Sequence, residues 1–184
     1  MYDKQALIEL VREKGLELGD FTLASGKKSK YYLDCRKVTL DPKGANLIAS
    51  GMLSLMDGNL PDAVGGMAIG ADPITAAIIT LAGQQDLPVK GFIVRKEAKG
   101  HGKGNDVEGP VAGGERAVIV EDVVTTGGSS LKAIEKVEAA GIHVEKVLAI
   151  IDRLEGGKEA FAEKGYELET LLTIRDFGLE PPAS

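Results

Sequence analysis

The sequence predicts an α/β fold in which a parallel β-sheet is flanked by helices. From residue 41 onward, segments with the helical spacing of apolar residues alternate with short apolar runs of strand length. The runs consist largely of Val and Ile, which is typical of strands covered on both faces, and such strands belong to parallel sheets. Since a length of 184 residues fits one domain, we expect a single domain over residues 1–184.

The first 40 residues predict a small hood attached to the core. Asp3 can cap a first helix and Gly15 can end it. The chain from residue 18 to residue 40 then contains three apolar stretches, separated by lysines and a Ser-Gly turn. These stretches predict short strands at residues 21–23, 31–35 and 38–40.

The core is predicted to span about residues 41–175. Two of its helices should begin at the pairs Asp41-Pro42 and Asp72-Pro73, because Asp is a favourable N-cap and Pro fits the first helical turn. A third helix is expected at residues 129–140, ended by Gly141. The predicted strands of the core lie at residues 63–68, 89–94, 117–120 and 144–151.

Residues 95–115 interrupt this alternation of helices and strands. The stretch holds six glycines, many charged residues and no apolar period. A loop of this length is uncommon in a compact domain unless it serves as a lid or a binding loop. We therefore predict a mobile loop over about residues 95–109.

The composition excludes several classes of protein. Hydrophobic residues make up 43% and charged residues 27%, which excludes a disordered tail or a fibre. With one cysteine, Cys35, and two histidines, an internal disulfide and a Cys/His metal cluster are excluded. Neither a secretory signal nor an apolar run near the ~18 residues of a spanning helix is present. We expect a soluble cytoplasmic protein, with Cys35 buried and His143 exposed at the start of a strand.

The charge is unevenly distributed along the chain. Residues 24–40 and residues 89–104 each carry a net charge of +4. Because the net charge of the whole chain is −6, the remaining residues together carry −14. Two basic islands on an acidic body favour a compact polyanionic ligand over a long nucleic acid, which requires a broad basic face. Glycine makes up 24 of the 184 residues, about twice its typical share of ~7%. These glycines provide places where the backbone can approach a phosphate closely.

The segment at residues 117–130 carries the clearest chemical signal. An apolar strand delivers Glu121 and Asp122 at its carboxyl end, and a Thr/Gly/Ser loop leads directly into a helix. Ligands of open α/β sheets bind at the carboxyl ends of the strands. The loop amides and the helix N-terminus favour a phosphate, and the carboxylates can accept hydrogen bonds from vicinal sugar hydroxyls beside a divalent cation. The segment therefore predicts a site for a phosphorylated sugar, while P-loop and GxGxxG motifs are absent from the sequence.

The sequence VIVEDVVTTGGSS at residues 118–130 resembles the phosphoribosyl-diphosphate (PRPP) signature of the type I phosphoribosyltransferases. Three further segments resemble the orotate phosphoribosyltransferase family: FTLASGKKSKYYLDCRKVTL at 21–40, RKEAKGHG at 95–102, and Asp152-Arg153. The resemblance spans about residues 1–175. It implies the type I phosphoribosyltransferase fold and transfer of the phosphoribosyl group of PRPP to orotate, giving orotidine 5′-monophosphate and pyrophosphate in pyrimidine synthesis, with Mg²⁺.

The same resemblance implies roles for individual residues. Glu121 and Asp122 would hold the ribose hydroxyls, and Lys99 would be the catalytic lysine of the mobile loop. The metal would arrive with PRPP, and Asp122 would reach it through water. The 5′-phosphate would bind at Val123, Val124, Thr125, Thr126, Gly127, Gly128 and Ser129, the diphosphate at Arg95, Lys96, Lys99 and His101, and orotate at Thr125, Arg153 and Tyr32.

The resemblance also implies a homodimer with shared active sites, because it places Arg95, Lys99 and His101 in the site of the neighbouring subunit. Displacement of pyrophosphate builds positive charge on the ribose and negative charge on the leaving group, which suits carboxylates near the sugar and cations near the diphosphate. Gly70 to Asp72 match the family's pyrophosphate loop. Ala24 departs from the family, in which many members carry lysine there.

Two alternatives to this activity are left by the sequence. One keeps the enzyme class and changes the base to a purine or xanthine, which the segment at 21–40 and Asp152-Arg153 disfavour. The other is a regulator of the same fold that binds PRPP or a nucleotide and acts on RNA or DNA without turnover. A regulator should carry a basic face outside the two islands, where this chain is strongly acidic.

Overall fold

The computed structural model describes residues 2–22, 26, 28–97 and 106–181. The N-terminal helix α1 covers Lys4–Lys14, and the Asp3 side chain caps it by accepting a hydrogen bond from the Ala6 amide at 3.0 Å. The amide of Gly15 bonds to the Val11 carbonyl at 2.9 Å and ends the helix. The cap and the end predicted for this helix are both confirmed.

A two-stranded antiparallel sheet forms the hood. Strand β1 covers Leu16–Thr22 and pairs with β2 at Lys28–Leu33. The strand predicted at residues 38–40 is wrong, because Arg36–Thr39 form the short helix α2. Amides of Val38 and Thr39 bond to the Cys35 carbonyl, and both side chains are buried. Three apolar residues are too few to distinguish a strand from one helical turn.

The core sheet has six strands among the described residues, in the order β5-β4-β3-β6-β7-β8. All neighbours are parallel except β5, which is antiparallel to β4. The strand bounds are Ala63–Met67 for β3, Lys90–Val94 for β4, Val107–Glu108 for β5, Arg116–Val124 for β6, His143–Asp152 for β7 and Glu167–Thr173 for β8. The predicted parallel sheet is confirmed, and the carboxyl ends of its parallel strands meet at one edge.

Helices cover both faces of this sheet. Their bounds are Pro42–Leu55 for α3, Ala71–Gln84 for α4, Gly128–Ala139 for α5 and Gly157–Glu163 for α6, and a 3₁₀-helix covers Ile174–Phe177. Alternate residues of β6 face opposite sides: Val118 and Val120 pack with residues of α1, α3 and α4, while Ala117 and Ile119 pack with α5 and α6. The Val/Ile runs are thus buried on two faces, which is why they lack a strict alternation.

The two Asp-Pro pairs behave differently. Asp41 caps α3, because its Oδ1 accepts hydrogen bonds from the amides of Lys43 at 2.9 Å and Gly44 at 3.1 Å. The predicted cap at Asp72 is wrong: α4 begins at Ala71, two residues before Pro73, and Asp72 lies within its first turn. The Asp72 Oδ1 atom is buried without a hydrogen-bond partner among the described residues, and burial raises the pKa of this carboxyl.

Two strands were missed by the sequence analysis. Strand β5 lies inside the segment predicted to have no structure of its own, and strand β8 follows the last strand predicted. Part of the predicted mobile loop, residues 98–105, lies outside the described residues. Among the helices that are described, none is both long and apolar enough to cross a bilayer.

Candidate functional site

Glu121 is a buried carboxylate in the second half of β6. Its Oε2 accepts a hydrogen bond from Ser130 Oγ at 2.8 Å, and its Oε1 accepts one from the Asp122 amide at 3.2 Å. Burial, together with the neighbouring charge of Asp122, raises the pKa of Glu121 to about 7. Close to neutral pH this group therefore changes between the protonated and the charged form.

Asp122 points to the other face of the strand, because successive side chains of a strand alternate. Its Oδ1 accepts a hydrogen bond from the Val123 amide at 2.8 Å. A Cβ atom built on Gly70 would lie 3.1 Å from the same oxygen, so Asp122 faces the connection between β3 and α4. Glu121 thus contacts α5, and Asp122 faces the loop that matches the family's pyrophosphate loop, while the two carboxylates stay close enough for Asp122 to raise the pKa of Glu121.

The loop between β6 and α5 forms a cradle of about 100 Å³. It is lined by Glu121, Val123, Val124, Thr125, Thr126, Gly127, Gly128, Ser129 and Ser130. The first hydrogen bond across this helix start joins the Leu131 amide to the Gly127 carbonyl at 2.9 Å. Amides of residues 128–130 precede it, so they have no acceptor within the helix. Those amides and the helix dipole make the cradle favourable for an anion.

Gly127 is required by the shape of this cradle. Its φ of +80° lies in the left-handed region that favours glycine. A Cβ at this position would approach the ring of Phe161 to 3.1 Å. Phe161 is a fully buried residue of α6, so α6 packs against the loop between β6 and α5.

Arg153 follows β7 and is buried, with 8% of its surface exposed. Its Nε donates a hydrogen bond to the Tyr31 hydroxyl at 3.1 Å and lies 2.8 Å from Glu155 Oε1. The guanidinium carbon lies 4.9 Å from the centroid of the Tyr31 ring. The Nη2 atom is buried and has no partner among the described residues. A buried charged donor without a partner is costly, and a ligand carboxylate would satisfy it.

Arg153 also lies next to the cradle, because its amide donates to the Val124 carbonyl at 2.9 Å. Thr125 follows Val124 directly, so the residues predicted to contact orotate, Thr125 and Arg153, are brought together. The hood residue against Arg153 is Tyr31, whereas sequence reasoning favoured Tyr32. Tyr32 is 40% exposed, and its ring packs on Phe21 with 5.7 Å between centroids. The alternation in β2, where buried Ser29 and Tyr31 alternate with exposed Lys28, Lys30 and Tyr32, is the pattern that distinguishes the two tyrosines.

Of the two described basic residues after β4, Lys96 lines a second cavity and Arg95 does not. Lys96 is exposed and lines a space of about 620 Å³ together with Met67 and Ser129. Arg95 is half-buried, and its Nε lies 2.9 Å from Glu108 Oε1. Lys96 is therefore close to the end of the phosphate cradle. Lys99 and His101 lie outside the described residues.

The predictions for two side chains outside the site, a buried Cys35 and an exposed His143, are both confirmed. Cys35 is buried, and burial raises the pKa of its thiol well above the ordinary value. His143 is exposed at the start of β7. Within the described residues, no group of three or more His, Cys, Asp or Glu side chains is arranged to hold a metal.

No protein-family model matches the chain. An orotate phosphoribosyltransferase of Rhodopirellula baltica is 64% identical to it, over 97% of this chain and 96% of that protein. An orotate phosphoribosyltransferase of Aquifex aeolicus is 41% identical, over 96% of this chain and 98% of that protein.

Solved structures agree with these relatives. Orotate phosphoribosyltransferase of Mycobacterium tuberculosis in complex with PRPP superimposes with a TM-score of 0.80 at 34% identity, over 96% of this chain and 99% of that chain. Its complex with Fe(III) dicitrate gives a TM-score of 0.84 at 36% identity, with the same shares covered. An adenine phosphoribosyltransferase of Thermoanaerobacter pseudethanolicus, 18% identical with a TM-score of 0.64, shares the fold. The chain has the type I phosphoribosyltransferase fold and belongs to the orotate phosphoribosyltransferase family.

Proposed function

We propose that this chain transfers the phosphoribosyl group of PRPP to orotate, giving orotidine 5′-monophosphate and pyrophosphate, as a step of pyrimidine nucleotide synthesis. The observation that carries the proposal is the unpartnered Nη2 of Arg153 beside an anion cradle. A ligand pair in which one member has a carboxylate and the other a phosphorylated sugar matches these two features. The names of the relatives support the same activity, and so does the PRPP complex of the Mycobacterium tuberculosis enzyme.

Within this activity the cradle binds the 5′-phosphate of PRPP through its amides and the helix dipole. Arg153 binds the orotate carboxylate, for which a planar guanidinium is the best-matched side chain. Thr125 lies between the two groups and contacts the base. Tyr31 holds Arg153 in place from the hood. Tyr32 remains a prediction for the edge of the base site.

Glu121 and Asp122 hold the ribose hydroxyls and stabilise the positive charge that develops on the sugar. Their carboxylates act best where water is excluded, because charges interact more strongly at low dielectric. Since the pKa of Glu121 is about 7, its charged form dominates only above neutral pH. Arg95, Lys96, Lys99 and His101 neutralise the leaving pyrophosphate, with Lys99 as the main catalytic lysine.

Magnesium fits this site as a metal that the substrate brings. Mg²⁺ is commonly held by one or two carboxylates, several waters and the phosphates of a substrate. The described residues offer no cage of three or more ligands, but Asp122 presents a partly exposed carboxylate beside the candidate pyrophosphate loop. When bound there, the metal would neutralise charge on the diphosphate, with Asp122 as a ligand through water.

We further propose a cytoplasmic homodimer of one-domain subunits. The support for the dimer is the resemblance of the segment at residues 95–102 to the orotate phosphoribosyltransferase family. In the dimer Arg95, Lys99 and His101 serve the site of the neighbouring subunit. The hood belongs to the same domain as the core, because Tyr31, Cys35 and Val38 pack in the core cluster of α3 and α4. A single buried cysteine suits a reducing compartment.

The test is the loss of ultraviolet absorbance of orotate on mixing with PRPP and Mg²⁺. Adenine, xanthine and uracil are assayed in parallel, each with its own readout. Turnover with orotate alone supports the activity and the base together. Turnover with a purine favours the alternative enzyme, and binding of PRPP without turnover of any base favours the regulator.

A further inference from the structure

Lys136 makes three hydrogen bonds across the fold from α5. Its Nζ donates to the carbonyl of Arg95 at 2.7 Å, to the carbonyl of Lys96 at 3.1 Å and to Asp106 Oδ1 at 2.8 Å. An ammonium group has three N–H donors, so this lysine is fully used by the three acceptors. Only 23% of its side-chain surface is exposed.

The three acceptors lie on two chain segments that meet here. Arg95 and Lys96 leave β4, and Asp106 leads into β5. The two segments also bond directly, because the Arg95 amide donates to the Asp106 carbonyl at 2.8 Å. Lys136 therefore fixes both segments to α5 at one point.

Lys136 lies on the same helix, α5, as the end of the anion cradle. Ser129, at the end of the phosphate cradle, lies two helical turns before Lys136, or about 10 Å along the axis. Ser129, Lys96 and Lys136 line the same cavity of about 620 Å³. The helix thus carries the phosphate cradle at one end and holds the backbone of Lys96 at the other.

We propose that Lys136 is a positioning residue for PRPP, which sets the distance between the diphosphate-binding residue Lys96 and the cradle of the 5′-phosphate in the same subunit. The inference rests on the proposed function, because it uses the role assigned there to Lys96. PRPP must contact the cradle and Lys96 at once. Without the hydrogen bonds of Lys136, the segment after β4 can shift relative to α5. A misplacement of about 1 Å, even far from the reacting atoms, can lower the rate of catalysis up to ~100-fold.

A matched control is available at the far end of the sheet. Lys146 has a side-chain exposure of 19%, and its Nζ bonds to the Leu55 carbonyl at 2.9 Å and to Glu169 Oε1 at 2.6 Å. It lies in the first half of β7, away from the carboxyl ends that form the site. Replacing either lysine removes a half-buried ammonium, its ion pair and its carbonyl contacts. Both replacements should therefore lower thermal stability, but only one touches the PRPP-binding segment.

The experiment compares Lys136→Met, Lys136→Arg, Asp106→Ala and Lys146→Met with the wild type. For each protein, the melting temperature, kcat and the KM values for PRPP and orotate are measured, with PRPP binding by calorimetry. Lys136→Met should raise the KM and the Kd for PRPP by about tenfold and change the KM for orotate far less. Lys136→Arg, which keeps the donors, should stay within about threefold of wild type, and Asp106→Ala should raise the KM for PRPP by a smaller factor than Lys136→Met.

An unchanged KM for PRPP in Lys136→Met would overturn the proposal, as would an equal increase in Lys146→Met. If Lys136→Met does not fold, Asp106→Ala decides, and an unchanged KM in that variant overturns the proposal. Failure of the proposed function gives a different result: the wild type would not consume orotate. In that case the PRPP affinities of the same variants still test Lys136.

Discussion

Ser130 Oγ donates a 2.8 Å hydrogen bond to Glu121 Oε2, and both side chains are buried. Burial and the charge of Asp122 raise the pKa of Glu121, the bond from Ser130 lowers it because it stabilises the charged carboxylate, and the net value is about 7. The hydroxyl of Ser130 therefore helps to keep Glu121 charged at neutral pH. This contact gives the site a pH dependence that can be measured.

Ser130→Ala should raise the pKa of Glu121. A hydrogen bond to a charged group contributes about 1.5–3 kcal/mol, which corresponds to about one pKa unit or more. Since the charged form is the active one, the acidic limb of the kcat/KM profile should move upward from its wild-type position near pH 7. The variant should be several-fold slower than wild type near neutral pH and similar to it at about pH 9.

The control is Ser54→Ala, which removes an exposed hydroxyl that bonds to the Ser50 carbonyl within α3. Its pH profile should superimpose on that of the wild type. A Ser130→Ala profile with an unmoved acidic limb would show that Glu121 does not control the rate.

The elements that have strong local signals are predictable from the sequence. Helix α1 and the cap at Asp41 follow from side chains that bond to nearby amides. The cap at Asp72 failed because the bend at Gly70 already starts α4, so no amide remains at the right place for the carboxylate. Strand β8 was missed because it is an edge strand in which exposed Glu167 and the half-buried residues Glu169, Thr170 and Thr173 dilute the apolar signal.

Some residues of the site are also predictable from one local motif, whereas others are brought together only by the fold. The cradle and Glu121 come from one continuous motif, which local chemistry makes recognisable. The contact of Arg153 with Tyr31 joins residues separated by 122 positions, and only the folded hood brings them together. The position of Lys136 beside Arg95 and Lys96 likewise depends on packing of α5 against the ends of β4, which no local pattern encodes.

Arg153→Gln should damage recognition of orotate. Loss of a charge-assisted contact of about 1.5–3 kcal/mol predicts a KM for orotate that is about 10-fold to 100-fold higher, with a smaller effect on the KM for PRPP. The wild type should disfavour uracil, which lacks the carboxylate, by about 10⁴-fold. The variant should keep a preference of only about 10²–10³-fold. Initial rates with both bases, for wild type and variant, give the comparison.

Two further variants distinguish the charge of Arg153 from its surroundings. Glu155→Gln keeps the guanidinium and removes only the charge of its ion-pair partner, so selectivity for orotate should persist. Arg175→Gln removes an exposed arginine that pairs with Glu180 and should leave both KM values unchanged. Retention of full selectivity by Arg153→Gln would contradict the assignment of the carboxylate site.

Gly127→Ala should impair both folding and PRPP binding. The left-handed φ of +80° costs a residue with a Cβ about 1–2 kcal/mol, and the added atom would lie 3.1 Å from the Phe161 ring. For a domain of this size, that loss lowers the melting temperature by about 2–8 °C. Movement of the loop should also raise the KM for PRPP by about tenfold.

Gly83→Ala is the matched glycine control. It lies in α4, and a Cβ there would meet no atom within 4 Å. Alanine is favoured over glycine in a helix by up to ~1 kcal/mol, so this variant should melt at the same or a higher temperature than wild type. If Gly127→Ala matched Gly83→Ala in stability and in PRPP affinity, the cradle would not need its left-handed residue.

Lys99→Ala should lower kcat by about 10²–10³-fold, the usual effect of losing a group that stabilises developing charge. Lys103→Ala, in the same segment, should have a much smaller effect. If the sites are shared between subunits, an equal mixture of Lys99→Ala and Asp122→Asn subunits, unfolded and refolded together, should recover activity that neither variant has alone. Half of the dimers would be hybrids, and each hybrid would hold one intact site, so activity should reach about a quarter of wild type. Refolded mixtures that stay as inactive as the separate variants would mean that each subunit uses its own Lys99.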